Sequence, residues 1–235
     1  MTAPVVEQIV SSGGSSGSGT THTLSYPSTV NSGDFLVAAL NVRADTTATW
    51  PTGAGWAELL DVGGYANAFS VHVGYYWADG TEDGGTFDVE AGATAAGSWV
   101  VHRISGAHAS TPPETNGAPA GEDPPSVTPS GGADDYLSVA YLFGYYNFPA
   151  TGWPSGYGDT GTEGGYAPIV AWASLGLSGA SSEDPGVFAS GGASTNTASV
   201  TVMVYPAALG NTGVVTIAFS DGSSMRGIGV LRGVG

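Results

Sequence analysis

Glycine and proline interrupt this chain so often that few segments could form a helix of normal length. The 235 residues include 39 Gly and 14 Pro, and inside a helix these cost about 1 and about 3 kcal/mol each relative to Ala. Between the interruptions lie short segments in which apolar and polar residues alternate, at 70–77, 99–104, 200–205 and 215–219. Alternation with a period of two is typical of strands with one buried face. The sequence therefore predicts an all-β protein.

Two segments differ from this alternating pattern. Residues 35–42 and 136–143 are apolar at nearly every position. Continuous apolar runs of this length are expected where a strand is covered on both faces. We predict that these two segments are central strands of their sheets.

Short motifs recur in the same order about 101 residues apart, which indicates an internal repeat. The pairs are GDFL at 33–36 and DDYL at 134–137, WP at 50–51 and 153–154, GW at 55–56 and GY at 156–157, TF at 86–87 and VF at 187–188, and WVV at 99–101 and VTV at 200–202. Any two β segments of similar length can also be aligned in partial register, so a chance match stays open.

These patterns predict an antiparallel β-sandwich, jelly-roll-like, built from two pseudo-repeats of about 100 residues at 20–108 and 124–206. Each repeat would supply about five or six strands, and two stacked repeats would form a single sandwich of about 10–13 strands within one domain, 1–235. The alternative is two small β domains divided in the proline-rich segment near 109–133. A C-terminal hairpin is predicted at 213–232, with its turn at 221–224.

The charge of the chain excludes several classes of function. There are 20 acidic residues against four arginines and no lysine, which gives a net charge of −16, and there is no cysteine. Binding to nucleic acid or to an anionic membrane surface needs clustered basic residues, so neither partner is expected. Disulfides and cysteine-based zinc sites are impossible, and no apolar run is long enough to predict a membrane-spanning helix.

The acidic turn Asp79-Gly80-Thr81-Glu82-Asp83 is a weak candidate for calcium. Asp79, Glu82 and Asp83 would offer the oxygen ligands that calcium takes. The spacing is not that of an EF-hand, and Asp and Gly are also ordinary turn formers, which is the favoured interpretation. No other cofactor or metal is predicted.

No motif predicts catalysis. The segment 13–17 matches G-x-S-x-G, but it lies in a low-complexity Ser/Gly run with no helix after it. His72 and His102 fall in the middle of predicted strands, where a half-buried, hydrogen-bonded histidine is the ordinary interpretation. No pair of carboxylates is placed for glycoside hydrolysis, so we expect a protein that is not an enzyme.

Aromatic residues cluster in one stretch of the second half, and they are candidates for contact with a partner. Trp77 and Phe143 are expected inside by their alternation. The contact candidates continue past the strand into a loop, where aromatic side chains could stack on sugar rings or anchor a protein interface. They are Tyr145, Tyr146, Phe148 and Trp153.

The sequence resembles a family of β-sandwich proteins found among tailed-phage virion proteins and their prophage relatives. The resemblance covers roughly residues 4–206 and rests on the following segments: GDFLVA at 33–38, WP at 50–51, GW at 55–56, YYWADGTE at 75–82, WVVHRISG at 99–106 and DYL at 135–137. It implies that the N-terminal strand and the Ser/Gly loop belong to the sandwich. Members of this family serve as head decorations, head fibres and tail-associated adhesins, and the family contributes no catalytic motif.

The resemblance and the acidity together predict a structural protein on the exterior of a phage capsid, a head decoration or cement protein. Its partners would be the major capsid protein or other virion proteins, and we expect a homo-oligomer, with a trimer favoured. Arg226 and Arg232 lie in the atypical tail and are candidates for contact with an acidic partner or a neighbouring subunit. The alternative is a carbohydrate- or receptor-binding adhesin of a head fibre or tail, and a glycan hydrolase is the third hypothesis.

Overall fold

The computed structural model describes residues 2–12, 19–65, 69–146, 149–164, 168–190, 196–207, 212–218 and 224–230. The predicted fold class is confirmed: the described part of the chain consists of antiparallel β-sheets and one short 3-10 turn at Thr52–Ala54, without an α-helix. It therefore also contains no helix that could cross a membrane.

The first half of the chain forms two sheets that face each other. The strands are β1 (Val5–Ser12), β2 (Gly19–Ser25), β3 (Phe35–Val42), β4 (Ala48–Thr49), β5 (Ala57–Val62), β6 (Ser70–Trp77), β7 (Thr86–Ala95) and β8 (Gly97–Ser105). The larger sheet has the order β1-β8-β3-β6-β5, and the smaller one β2-β7-β4. Within this half the first strand, β1, pairs with the last, β8. Strands β1 to β4 alternate between the two sheets, and this pattern of connections is typical of jelly rolls.

The second half repeats this order of strands with shorter outer elements. Its larger sheet has the order β9-β15-β10-β13-β12, and its smaller sheet is β11-β14. The strands are β9 (Glu114–Thr115), β10 (Leu137–Gly144), β11 (Ala150–Gly152), β12 (Gly158–Glu163), β13 (Ile169–Gly176), β14 (Ala189–Ser190) and β15 (Thr197–Val204). The duplication of the sequence itself stays a prediction.

The first pseudo-repeat, 20–108, contains seven strands, β2 to β8, instead of the five or six expected, whereas the second, 124–206, contains six, β10 to β15. Strands of two residues, such as β4 and β14, are too short to show an alternating pattern. The proline-rich segment 109–133 takes part in the fold. It contains β9, and Val127 exchanges backbone hydrogen bonds with Glu183 in the second half, at 2.8 and 2.9 Å.

Three apolar layers follow from this stacking. The first lies between the two sheets of the first half, the second between the two five-stranded sheets, and the third between β10, β13 and the small sheet β11-β14. The central strands β3 and β10 are buried along their whole length, as predicted. Phe143 is fully buried, as expected. Trp77 is half-buried and packs on Phe35 with ring centroids 5.4 Å apart.

The C-terminal hairpin is present. Strands β16 (Thr212–Ala218) and β17 (Ser224–Val230) pair in antiparallel register from Thr212 opposite Val230 to Ala218 opposite Ser224. The predicted turn at 221–224 lies outside the described residues except for Ser224.

Candidate functional site

A polar cleft of about 300 Å³ opens beside the turn that connects β6 to β7. Its lining residues come from four parts of the first half: the residue after β2, the 3-10 turn, the strand β6 with its following turn, and the start of β7. They include Tyr26, Tyr76, Asp79, Thr81, Glu82 and Thr86.

Glu82 is the centre of the turn that shapes the cleft. Its Oε1 accepts hydrogen bonds from the Tyr76 hydroxyl at 2.6 Å and the Asp79 amide at 3.0 Å, and its Oε2 accepts one from the Gly80 amide at 2.9 Å. Gly80 has a φ of +90°, a conformation that suits glycine. Glu82 is therefore held by its own turn, with both oxygens already accepting protein donors.

The three calcium candidates use their carboxylates in separate local contacts. Asp79 Oδ1 accepts from the Thr81 amide at 2.9 Å and the Thr81 hydroxyl at 2.6 Å, and these bonds lower the pKa of Asp79. Asp83 Oδ1 accepts from the amide of Val30. Within the described ranges no group of three or more His, Asp or Glu side chains is placed to hold a metal. Calcium at this turn stays a prediction.

Stacked aromatic rings support the floor of the cleft. Trp56 stacks between its neighbours, with centroids 5.5 Å from Trp50, 5.6 Å from Tyr76 and 4.3 Å from Phe87. Burial raises the pKa of the Tyr76 hydroxyl, and the adjacent Glu82 raises it further. Tyr76 therefore stays a neutral hydrogen-bond donor at any physiological pH.

Gly55 allows this stack to form. A Cβ at this position would lie 2.7 Å from Cε2 of Tyr76, and the residue has a φ of +86°. Both the close approach and the backbone conformation require glycine here. The Gly55-Trp56 motif, which marked the internal repeat in the sequence, therefore lets Trp56 stack on Tyr76, which lines the cleft.

The cleft offers the hydroxyl groups of Thr81 and Thr86, the edge of the Tyr76 ring and Oδ2 of Asp79. The carboxylates of Asp79 and Glu82 make it unfavourable for anions. Such a surface suits a neutral ligand with several hydroxyl groups, or a cation. The sequence indicated Asp79 and Glu82 only as metal ligands. The cleft could not be predicted because Tyr26 and Tyr76, which complete it, lie in other segments of the chain.

The structure describes three of the four predicted aromatic contact residues, Tyr145, Tyr146 and Trp153. The Tyr145 ring is half-buried, stacks under the Arg43 guanidinium at 4.6 Å and meets Tyr146 edge-on at 4.7 Å. Tyr146 is 40% exposed. Trp153 is half-buried against the third apolar layer. Phe148 lies outside the described residues.

The two arginines of the tail are placed only in part. Arg226 lies in β17 opposite Thr216, and Arg232 lies outside the described residues. Their role as contact residues stays a prediction.

A chain of close Ser-His-Asp contacts was not predicted from the sequence. Ser70 Oγ lies 2.8 Å from His72 Nε2, and His72 Nδ1 lies 3.1 Å from Asp61 Oδ1. Asp61 Oδ2 accepts from the Ala48 amide at 3.1 Å, which helps to fix the carboxylate. Residues 70 and 72 share one face of β6, and Asp61 stands opposite His72 in β5. The alternation of Ser and His on one strand was a usable signal, but the pairing with β5 was not visible.

This chain has the order of contacts found in hydrolytic triads, but it is closed to substrate. Ser70 and His72 are both completely buried, so a carbonyl group in solvent cannot reach Ser70 Oγ in this structure. Burial lowers the pKa of His72 to about 4 despite the adjacent Asp61. The arrangement acts as a buried polar connection between β5 and β6.

A second buried histidine lies between the two five-stranded sheets. His102 is fully buried, with Nδ1 3.1 Å from the Tyr141 hydroxyl of the second half. Further along the same layer, Asn41 Nδ2 donates to the carbonyls of Gly144 at 3.0 Å and Ile169 at 2.7 Å. Both histidines singled out by the sequence are thus hydrogen-bonded, and they are more deeply buried than expected.

Comparisons with protein-family models, with characterised proteins and with solved structures find no match to this chain. What defines its class is therefore its own architecture: an acidic all-β protein in which two five-stranded sheets pack face to face.

Proposed function

We propose that this chain is a structural protein of a tailed-phage particle, a decoration or cement protein on the outer surface of the capsid. The observation that carries the proposal is an acidic surface around a buried interior. The net charge is −16, and the interior polar residues Ser70, His72 and His102 are fully buried. The phage assignment itself comes from the sequence resemblance.

Electrostatics support an exterior location. A protein with four arginines and 20 acidic residues is repelled by packaged nucleic acid, so it belongs outside the shell. Jelly-roll architectures occur in viral capsid proteins and in lectins, and this support is analogy at the level of the fold. Contacts to the major capsid protein would use apolar and backbone surfaces.

Copy number per particle tests this proposal. Purified particles would be separated by gel electrophoresis, and the band of this chain would be quantified against the major capsid protein. Hundreds of copies per particle are expected of a decoration protein. A few copies would favour a fibre or tail protein, and absence from the particle would contradict the proposal.

The second candidate function is carbohydrate binding by an adhesin, and the cleft at Tyr76 and Asp79 favours it. Polyhydroxylated ligands pair with mixed donors and acceptors beside aromatic rings, and the cleft supplies Thr81 and Thr86 hydroxyls next to both. The exposed Tyr146 is an alternative contact point.

A glycan array separates these two sites. The native chain would be compared with Thr86→Ala, which alters the cleft, and with Tyr146→Ser, which alters the aromatic surface. Loss of binding only in Thr86→Ala would assign the cleft, and loss only in Tyr146→Ser would assign the aromatic surface. If the native chain binds no glycan, the adhesin hypothesis loses its support.

A further inference from the structure

A second polar cleft of the first half is lined by residues from the end of β1, from β2 and from the start of β8. Its volume is about 220 Å³. The lining residues are Ser12, Thr21, His22, Thr23, Gly97 and Trp99. None of them lines the cleft at Tyr76, so the two clefts are separate sites on the same half of the protein.

His22 is a buried polar group without a partner in this cleft. Only 7% of its surface is exposed, and its Nε2 is enclosed without a hydrogen-bond partner. Neither ring nitrogen forms a hydrogen bond with a described residue. A buried polar group that lacks a partner destabilises the folded protein, so its presence needs a reason. A ligand that reaches the imidazole from the cleft supplies one.

Gly97 allows the imidazole of His22 to lie against the backbone of β8. A Cβ at position 97 would lie 2.6 Å from Nδ1 and 2.8 Å from Cε1 of His22. Because Gly97 and His22 both line the cleft, the edge of the ring that carries Nδ1 lies at the cleft. Trp99, two residues further along β8, adds an indole ring to the lining. The cleft therefore combines an imidazole, an aromatic ring and hydroxyl groups.

The charges around the cleft disfavour an anionic ligand. Thr21 Oγ1 donates to Glu90 Oε1 at 2.9 Å, and Thr23 Oγ1 donates to Asp88 Oδ1 at 2.7 Å, so two carboxylates lie beside the lining hydroxyls. Burial lowers the pKa of His22 although Glu90 opposes this shift, and the imidazole is therefore neutral at neutral pH. The two threonine oxygens keep lone pairs that can accept hydrogen bonds. The ligand that fits is neutral and carries hydroxyl groups.

The size of the cleft limits the ligand to one ring. A volume of about 220 Å³ equals the space of about seven water molecules at about 30 Å³ each. This is enough for one pyranose ring with its hydroxyl groups, whereas a second ring would extend into solvent.

We propose that the cleft at His22 binds a single neutral sugar ring, such as the terminal residue of a glycan. A sugar hydroxyl forms a hydrogen bond with Nδ1 of His22, and the sugar ring packs against Trp99. The hydroxyl oxygens of Thr21 and Thr23 accept hydrogen bonds from further sugar hydroxyls. The inference extends the carbohydrate-binding candidate to a separate cleft, and it depends neither on the virion role nor on binding at Tyr76.

Imidazole signals in nuclear magnetic resonance spectra of the full chain test the proposal. The protein has four histidines, and the spectrum of His22→Gln identifies the His22 signal by its loss. The probes are the methyl glycosides of glucose, galactose and mannose, each titrated into the millimolar range. At least one of them should shift the His22 signal, whereas the signal of His102, which is fully buried between the two five-stranded sheets, should not move.

A charged analogue tests the electrostatic part of the proposal. The methyl glycoside of the uronic acid that corresponds to the binding sugar differs from it by one carboxylate. It should bind at least about tenfold more weakly, because Glu90 and Asp88 lie beside the lining threonines.

Three variants locate the binding, which is followed on the backbone amide signal of Gly97. His22→Gln removes the imidazole and should weaken binding about tenfold. Thr23→Val removes one hydroxyl at an exposed position, where the fold tolerates the change, and should weaken binding about threefold. Thr86→Ala alters the cleft at Tyr76 and is the control, with unchanged affinity.

Three results would each overturn the proposal. The first is that none of the three neutral sugars shifts the His22 signal. The second is that the uronic acid binds as tightly as the neutral sugar. The third is that Thr86→Ala loses binding while His22→Gln and Thr23→Val retain it, which would assign the sugar to the cleft at Tyr76.

Discussion

The buried histidine between the two five-stranded sheets predicts how the stability of this protein depends on pH. His102 has no exposed surface, and burial lowers its pKa from 6.5 to about 3. The unfolded chain exposes the same imidazole to water, where it binds a proton near its ordinary pKa. Acidification below that value therefore favours the unfolded state.

The size of this effect follows from the two pKa values. Above pH 6.5 the histidine is neutral in both states, so it adds no pH dependence. As the pH falls below 6.5, the unfolded chain gains a proton that the folded protein does not take up until about pH 3. Between pH 8 and pH 5 the free energy of unfolding should decrease by about 2 kcal/mol because of this one residue.

Urea unfolding at pH 8 and pH 5 measures this contribution. The native chain is compared with His102→Gln, which removes the titrating group, and with Tyr141→Phe, which removes the hydroxyl but keeps the imidazole. We expect the Gln variant to lose about 2 kcal/mol less than the native chain between the two pH values, and the Phe variant to lose about as much as the native chain. Equal losses in the native chain and the Gln variant would refute the argument.

Three further results are expected. Gly55→Ala should destabilise the protein by about 1–3 kcal/mol because of the positive φ of Gly55 and the adjacent Tyr76 ring. The control Gly53→Ala, at a position with open space, should change the free energy of unfolding by less than about 1 kcal/mol. Equal effects of the two variants in calorimetry would contradict this. Asn41→Ala leaves two carbonyls without their donor and should cost about 2–4 kcal/mol, whereas Asn116→Ala on the surface should cost less than about 1 kcal/mol in the same urea experiment. Removal of divalent cations with EDTA should leave the melting temperature unchanged because the carboxylates of the turn 79–83 already accept protein donors, and a lower melting temperature would instead support the calcium site.

The fold class could be derived from local patterns. The continuous apolar runs in β3 and β10 correctly predicted strands that are buried on both faces. The alternation in β6 and β8 identified them as strands, but both are buried at nearly every residue instead of on one face. The C-terminal hairpin was visible because its two strands are adjacent in sequence. The short strands could not be predicted, because two residues carry no periodicity.

The cleft and the buried polar contacts depended on pairings between distant segments. Tyr26 and Tyr76 are 50 residues apart in the chain, and no sequence pattern relates them. Asn41 reaches the carbonyl of Ile169 in the other half, so its role could not be read from its own strand. The same holds for Asp61, which is isolated in the sequence until β5 pairs with β6.

The sequence by itself determined the fold class and the positions of the long strands, because side-chain direction in a strand alternates with a period of two wherever the strand lies. The tertiary structure alone decided which strands pair, that the two halves share an apolar layer, and that Ser70, His72 and Asp61 form a closed chain. The physical reason is that strand periodicity is local, whereas the elements that cover a strand and supply its hydrogen-bond partners come from segments tens of residues away in the chain.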